Sequence, residues 1–261
     1  MTPIPPSPIQ SQKDALLGEP LETATIAAKA AAVSRPRFTA ANSLGTATAL
    51  SLSAGYLDGF TFVGHGQSFA SAMTGNMVLL GVNLAKLAPD ALGNLYPLIA
   101  FVFGVISANL LLRDSVRRHL PFSPHFTTLL IEIAVLTGVA FLPGGVDDHI
   151  LVAVVTVSTA MQNTSFRNIG TRPYNSVIMT GNLQAFSNAL AAGVWPGDGA
   201  SREQGRDLGA VLTSFILGAA LGAVATARFG NLATLAPAGL LAIGAVALFF
   251  ASDDDSVFRK S

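Results

Sequence analysis

The string Met-Thr-Gly-Asn occurs twice, at residues 73–76 and 179–182, which are 106 residues apart (179 − 73). Each residue type has a use where a helix begins. Glycine lets backbones approach closely and lets a helix start or break. Threonine and asparagine cap free N–H groups. A helix start exposed in a cavity carries partial positive charge and unpaired donors, so it attracts an anion or a solute oxygen. Polar residues precede each copy at the end of an apolar stretch: Asp58 before the first, Gln162 and Asn163 before the second. Asp58 and Asn163 are 105 residues apart (163 − 58), so one single-residue gap aligns both landmarks. Self-similarity at a fixed offset indicates two internal repeats. The competing use of Thr-Gly-Asn is tight helix packing, with the asparagine bonded to a neighbouring helix.

Asp58 lies in the last third of one apolar stretch and Glu132 near the middle of another, flanked by Leu129, Leu130, Ile131 and Ile133. Such a carboxyl must face a cavity, find a partner or carry a proton. For Asp58 the alternative is a helix end that water reaches, since Gly59 and Gly64 follow. Catalytic machinery is not apparent. Cysteine is absent, which removes disulfides, thiolate catalysis and cysteine metal sites. His65, His119, His125 and His149 all fall near the ends of apolar stretches, and none has the helical spacing of a zinc pair. No Gly-x-Ser-x-Gly elbow or phosphate loop occurs. We therefore expect no enzyme, no catalytic or metal-binding residues and no cofactor.

The elements that must position these residues are membrane helices. Only 11% of the 261 residues are charged and 51% are apolar, with mean hydropathy +0.53. Soluble domains carry about a quarter charged residues. The fifteen basic and fifteen acidic residues cancel, which argues against a nucleic-acid partner. The apolar stretches cover 42–63, 68–88, 95–112, 126–142, 150–166, 175–194, 208–227 and 232–251. About 20 apolar residues cross a hydrocarbon core of about 30 Å.

The two motif-bearing stretches, 68–88 and 175–194, are the polar ones. They contain Asn76, Asn83 and Lys86 in the first, and Asn182, Gln184, Ser187 and Asn188 in the second. Such residues cannot face lipid cheaply, so these segments are shielded or re-entrant. If they dip in and return while the others cross, thirteen Lys/Arg fall inside and only Lys86 and Arg228 outside. The positive-inside rule prefers that arrangement. It gives an all-α polytopic membrane helix bundle of about six spans plus two Thr-Gly-Asn segments. Three crossings per half invert the second repeat, and the solute site of such proteins lies where the repeats meet.

The expected organisation is a disordered cytoplasmic tail over 1–38, rich in Pro, Ser and Thr, with no apolar run suited to a cleaved signal. A membrane domain over 39–251 follows, with repeat one at 42–142 and repeat two at 150–251. The remainder, 252–261, is a C-terminal tail. Both termini face the cytoplasm.

Gly-x-x-Asp at residues 55–58, Met-Thr-Gly-Asn, Gln-Asn at 162–163 and the second Thr-Gly together resemble the YoaK family, over roughly residues 40–250. That family comprises bacterial inner-membrane proteins of unknown function, drawn with about six spans. The resemblance carries over to Gly55, Asp58, Thr74, Gly75, Asn76, Gln162, Asn163, Thr180 and Gly181. Met161 stands where a glycine usually precedes Gln-Asn. The resemblance implies the inner membrane as location but no substrate.

We expect a transporter or facilitator of an unidentified small solute. Asp58, Thr74, Gly75, Asn76, Glu132, Gln162, Asn163, Thr180, Gly181 and Asn182 are its substrate or pathway residues. A channel-like pore and a non-transporting scaffold or partner subunit are the alternatives. The partners are the lipid bilayer and the solute, with a homo-oligomer left open.

Overall fold

The computed structural model describes residues 40–143, 145–194 and 199–257. The tail expected over 1–38 and the last residues of the expected C-terminal tail lie outside them. Eight helices of more than one turn form the described part: α1 (Leu44–Gly64), α2 (Met73–Ala85), α3 (Leu95–Leu112), α4 (Pro124–Ala140), α5 (Asp148–Ser165), α6 (Met179–Val194), α7 (Gly199–Phe229) and α8 (Leu235–Val257). A single turn at Asp114–Arg117 follows α3, and a 3-10 segment at Gly230–Thr234 joins α7 to α8.

Local chemistry sets the helix starts. Ser43 caps α1 by accepting from Thr46 N at 3.0 Å, and Ser123 caps α4 just before Pro124, a residue suited to the first helical position. Asp147 caps α5, accepting from His149 N at 2.9 Å. By contrast, no side chain of Ala72 caps α2. At 1.5 Å per residue, the 13 residues of α2 and the 16 of α6 reach about 20 and 24 Å. Both fall short of a hydrocarbon core of about 30 Å.

Helix pairing follows small residues. α1 packs on α7 and α5 on α3; α2 rests on α3 and α6 on α7; α4 lies against α5, α8 against α1, and α4 touches α8. Gly55 and Gly59 of α1 approach the backbone of Phe215 and Ala219 in α7, and Gly218 and Gly222 of α7 approach that of Leu52 and Tyr56 in α1, so closely that side chains are excluded. A Cβ at Gly55 would stand 2.0 Å from Phe215 O, and one at Gly222 2.1 Å from Tyr56 O. Gly104 of α3 similarly meets Val157 O of α5. Without a hydrophobic force between apolar helices in lipid, close backbone approach supplies the packing energy.

The polarity of this bundle is inverted relative to a water-soluble one. Ser51, Ser53, Asn76, Thr128, Glu132, Thr156, Ser158, Thr159 and Gln162 are fully buried. Ile99 and Phe103 of α3, Ile216 of α7, and Ile243 and Phe250 of α8 are more than 60% exposed. Such a continuous apolar exterior marks contact with lipid or protein. Among the described residues, two stretches, Leu95–Leu112 and Gly199–Phe250, are long and apolar enough to cross a membrane. α1 and α5 have the length but not that apolarity, because their Ser, Thr, Gly and Asn residues face other helices.

A small hairpin was not expected. Asn168–Ile169 pairs antiparallel with Arg172–Pro173, turning at Gly170 with φ +59. Gly170 N donates to Asn42 O at 2.7 Å. Arg172 bridges to Asp207 at 2.9 Å and Glu203 at 3.1 Å. At a second loop region, His65 Nδ1 lies 2.7 Å from Asp148 Oδ1 and ties the end of α1 to the start of α5.

Candidate functional site

The starts of α2 and α6 share one cavity. Residues 71–74 and 177–180, with Phe101 of α3 and Phe215 of α7, line a space of about 230 Å³. No ionisable group is among these lining residues. Thr74 and Thr180 are exposed in it, each in the first turn of its helix. The side-chain polarity of the cavity wall comes from Ser71, Thr74 and Thr180, set among two phenylalanines and two methionines at the starts of two helices.

The loop before α2 folds back along the long helices, so α2 begins within the bundle. Asp58 sits nearly two turns before the end of α1. Its Oδ1 accepts from Ser71 N and its Oδ2 from Ser71 Oγ, both at 2.7 Å. Thr61 Oγ1 accepts from Ala70 N at 3.1 Å, and Thr159 of α5 donates to Ala70 O at 2.9 Å. Asn94 donates to Ser68 Oγ at 2.9 Å and accepts from Asn83 at 3.0 Å. Both Asp58 oxygens are satisfied by bonds that fix the chain one residue from the α2 cap.

The two motif asparagines make the same structure. Asn76 Oδ1 accepts from Phe69 N at 2.9 Å and its Nδ2 donates to Phe69 O at 2.7 Å. Asn182 Oδ1 accepts from Asn175 N at 3.1 Å and its Nδ2 donates to Asn175 O. Each thus clamps the backbone seven residues earlier, with the motif methionine sulfur near its Nδ2. Neither asparagine lines the cavity. Asn175 in turn accepts from Val177 N and Ile178 N at 2.9 and 2.7 Å, ordering the entry to α6. The motif glycines differ. A Cβ at Gly75 would strike the Phe69 ring at 2.8 Å, whereas one at Gly181 would meet nothing within 4 Å.

Glu132 and Gln162 form a second buried cluster between α4 and α5. With its NH2 toward the carboxyl, the Gln162 amide donates to both Glu132 oxygens, at 3.0 and 2.8 Å, and accepts from Ser176 Oγ at 3.2 Å. Turned over, Nε2 donates to Leu50 O at 3.3 Å and to Ser176 Oγ at 3.2 Å. Asn163 is 7% exposed and its Oδ1 has no protein partner.

The structure brings Thr74 and Thr180 together on the cavity wall, with Gly75 and Gly181 next in each helix. It places Asp58, Asn76 and Asn182 behind that wall as supports of the two loops. Glu132 and Gln162 reach it only through Ser176, one residue before the lining. Phe101 and Phe215 escaped sequence reading, because they stand at unrelated places in two apolar stretches. Ser176 and Thr159 were equally silent, since only the fold shows what they touch.

A family model described as "Protein of unknown function (DUF1275)" matches residues 46–247. The chain is 31% identical over 138 residues to the "UPF0700 transmembrane protein YoaK" of Bacillus subtilis (strain 168). That match covers 51% of this chain and 61% of the relative. No solved structure matches.

Proposed function

The chain belongs to the DUF1275 family of proteins of unknown function, and we propose that this helical membrane protein moves a small solute through the cavity where its two Thr-Gly-Asn helices begin. The observation that carries the reading is that two short helices, 13 and 16 residues long, start at one shared cavity of about 230 Å³ with Thr74 and Thr180 exposed in it. Half-helix starts aimed at a common polar site are how many transporters hold a solute near the bilayer midplane.

An origin in two inverted repeats fits the packing. Exchanging the halves converts α1 against α7 into α5 against α3, α2 against α3 into α6 against α7, and α4 against α5 into α8 against α1. The identical clamps of Asn76 and Asn182 add a side-chain counterpart. Six crossings with both termini inside, and α2 and α6 entering from opposite faces, complete the scheme.

The test is solute flux into proteoliposomes holding the purified protein. Saturable, competitor-sensitive uptake that falls in Thr74→Val and Thr180→Val supports a transporter. Non-saturating flux would point to a pore instead. No flux across a broad solute panel, with stable co-purification of another protein, would favour a scaffold.

A further inference from the structure

We infer that Glu132 and Gln162 form a reversible proton-binding site whose occupancy reverses the hydrogen bond to Ser176 and thereby couples a proton to the solute cavity. Only the coupling to solute rests on the transport reading above. The proton site itself does not.

The geometry admits two hydrogen-bond arrangements of the Glu132 carboxyl and the Gln162 amide. An ionised Glu132 only accepts, so it requires the Gln162 NH2, and Gln162 O then accepts from Ser176 Oγ. A neutral Glu132 donates its O–H to Gln162 O. The amide turns over, and its NH2 donates to Leu50 O and Ser176 Oγ. One proton bound to one carboxylate therefore changes Ser176 Oγ from donor to acceptor. No bond other than the O–H forms or breaks. Ser176 is fully buried and lies one residue before Val177, the first residue of the α6 side of the cavity wall. Val177 N and Ile178 N are held by Asn175, so a change at Ser176 acts in the middle of that short loop.

Among the described residues, no fixed charge on the helices packed around Glu132 neutralises it permanently, and in the loop that carries Ser176 the Arg172 guanidinium is bridged to Glu203 and Asp207. Lys and Arg are absent from α1, α3, α4, α5 and α8. On α4 itself, His125 lies two turns away with its ring against Phe166. On α5, Asp148 and His149 are at the far end, where Asp148 is held by His65. Tyr96 starts α3 and stacks on His149. On α1, Tyr56 donates to Ala233 O and Asp58 is held by Ser71. The 3-10 segment Gly230–Thr234 carries no ionisable residue, and neither does α8 before Asp253. Asp253 lies beyond Phe249, whose ring packs on Phe126. A buried carboxyl compensated only by an amide that can present either end suits exchange of a proton better than a fixed ion pair.

Infrared difference spectra of the protein in lipid, recorded against pH, test the site without any solute. One buried carboxylic C=O band should titrate and vanish in Glu132→Gln. An amide band shift should accompany it and vanish in Gln162→Leu. Because the chain has no cysteine, Ile178→Cys places a single thiol on the cavity wall. Its labelling by a water-soluble maleimide, corrected for thiolate fraction, should change several-fold over the same titration and become indifferent to pH once Glu132→Gln is added. A parent protein with no titrating carboxyl band overturns the proposal, whether or not the variants fold. So does a band that survives Glu132→Gln in protein with a parent-like melting curve. Labelling of the Ile178→Cys thiol that ignores the titration overturns the coupling to the cavity. None of these readouts uses flux, so failure of the transport reading would be seen separately.

Discussion

Asn76 and Asn182 show how one residue type can carry a motif without lining the cavity. Each spends its amide on the N–H and C=O of a residue seven positions earlier. Asn76→Ala should strand a buried donor and acceptor at Phe69, each worth about 1–3 kcal/mol. We expect a loss of stability of about 2–4 kcal/mol in denaturant unfolding of the detergent-solubilised protein. Asn182→Ala should behave alike, and because the two clamps hold separate loops their effects should add. The cavity hydroxyls predict the opposite pattern. Thr74→Val and Thr180→Val keep shape and remove an exposed hydroxyl, so stability should stay within about 0.5 kcal/mol. Solute-induced stabilisation, read as a shift in melting temperature, should weaken by about tenfold in apparent affinity per lost bond. The repeated string pointed to the right helix starts, because threonine, glycine and asparagine there have few other uses in apolar surroundings. Which of the three faces the cavity was not legible, because the partner of each asparagine is backbone, and backbone carries no sequence signal.

At the level of elements, glycine spacing decides what may change. Gly218 and Gly222 of α7 press on the backbone of Leu52 and Tyr56, and Gly55 and Gly59 of α1 press on that of Phe215 and Ala219. Gly222→Ala must push α1 away from α7, since its Cβ would stand 2.1 Å from Tyr56 O. Yield of folded protein, measured by size-exclusion after mild solubilisation, should collapse. Gly244→Ala in α8 meets nothing within 4 Å and should be neutral or stabilising by up to about 1 kcal/mol. Equal behaviour of the two variants would contradict the packing described for α1 and α7. The apolar run of α3 matched expectation to the residue because Asn94 and Arg113 bound it. α6 begins later than its stretch suggested, since Asn175 to Ile178 are ordered as a capped loop. The hairpin at 168–173 could not be read locally. Its strands are two residues long and are held by Asn42 and Asp207, both far away in sequence.

For the whole molecule, the apolar exterior and polar interior fit a membrane bundle, and the distribution of basic residues predicts its orientation by the positive-inside rule. Reporter fusions at Ser252 and Asp148 should report opposite sides of the membrane, with Ser252 inside. The same side for both would remove the six-crossing scheme. Glu132 was visible as a carboxyl in the middle of one apolar stretch and Gln162 as a polar residue at the end of another, but their pairing across α4 and α5 was not, because it depends on the rotation of two helices about their axes. On the transport reading, the starts of α2 and α6 open into one water-accessible cavity instead of lipid. The absence of native cysteine makes this testable directly. Thr74→Cys and Thr180→Cys, singly and together, are labelled in membranes with a small water-soluble thiol reagent and with a lipid-soluble one. Both positions should react with the water-soluble reagent, and a bulky adduct at either one should slow reaction at the other, because about 230 Å³ cannot hold two. Reaction with the lipid-soluble reagent alone, or two positions that label independently, would contradict it.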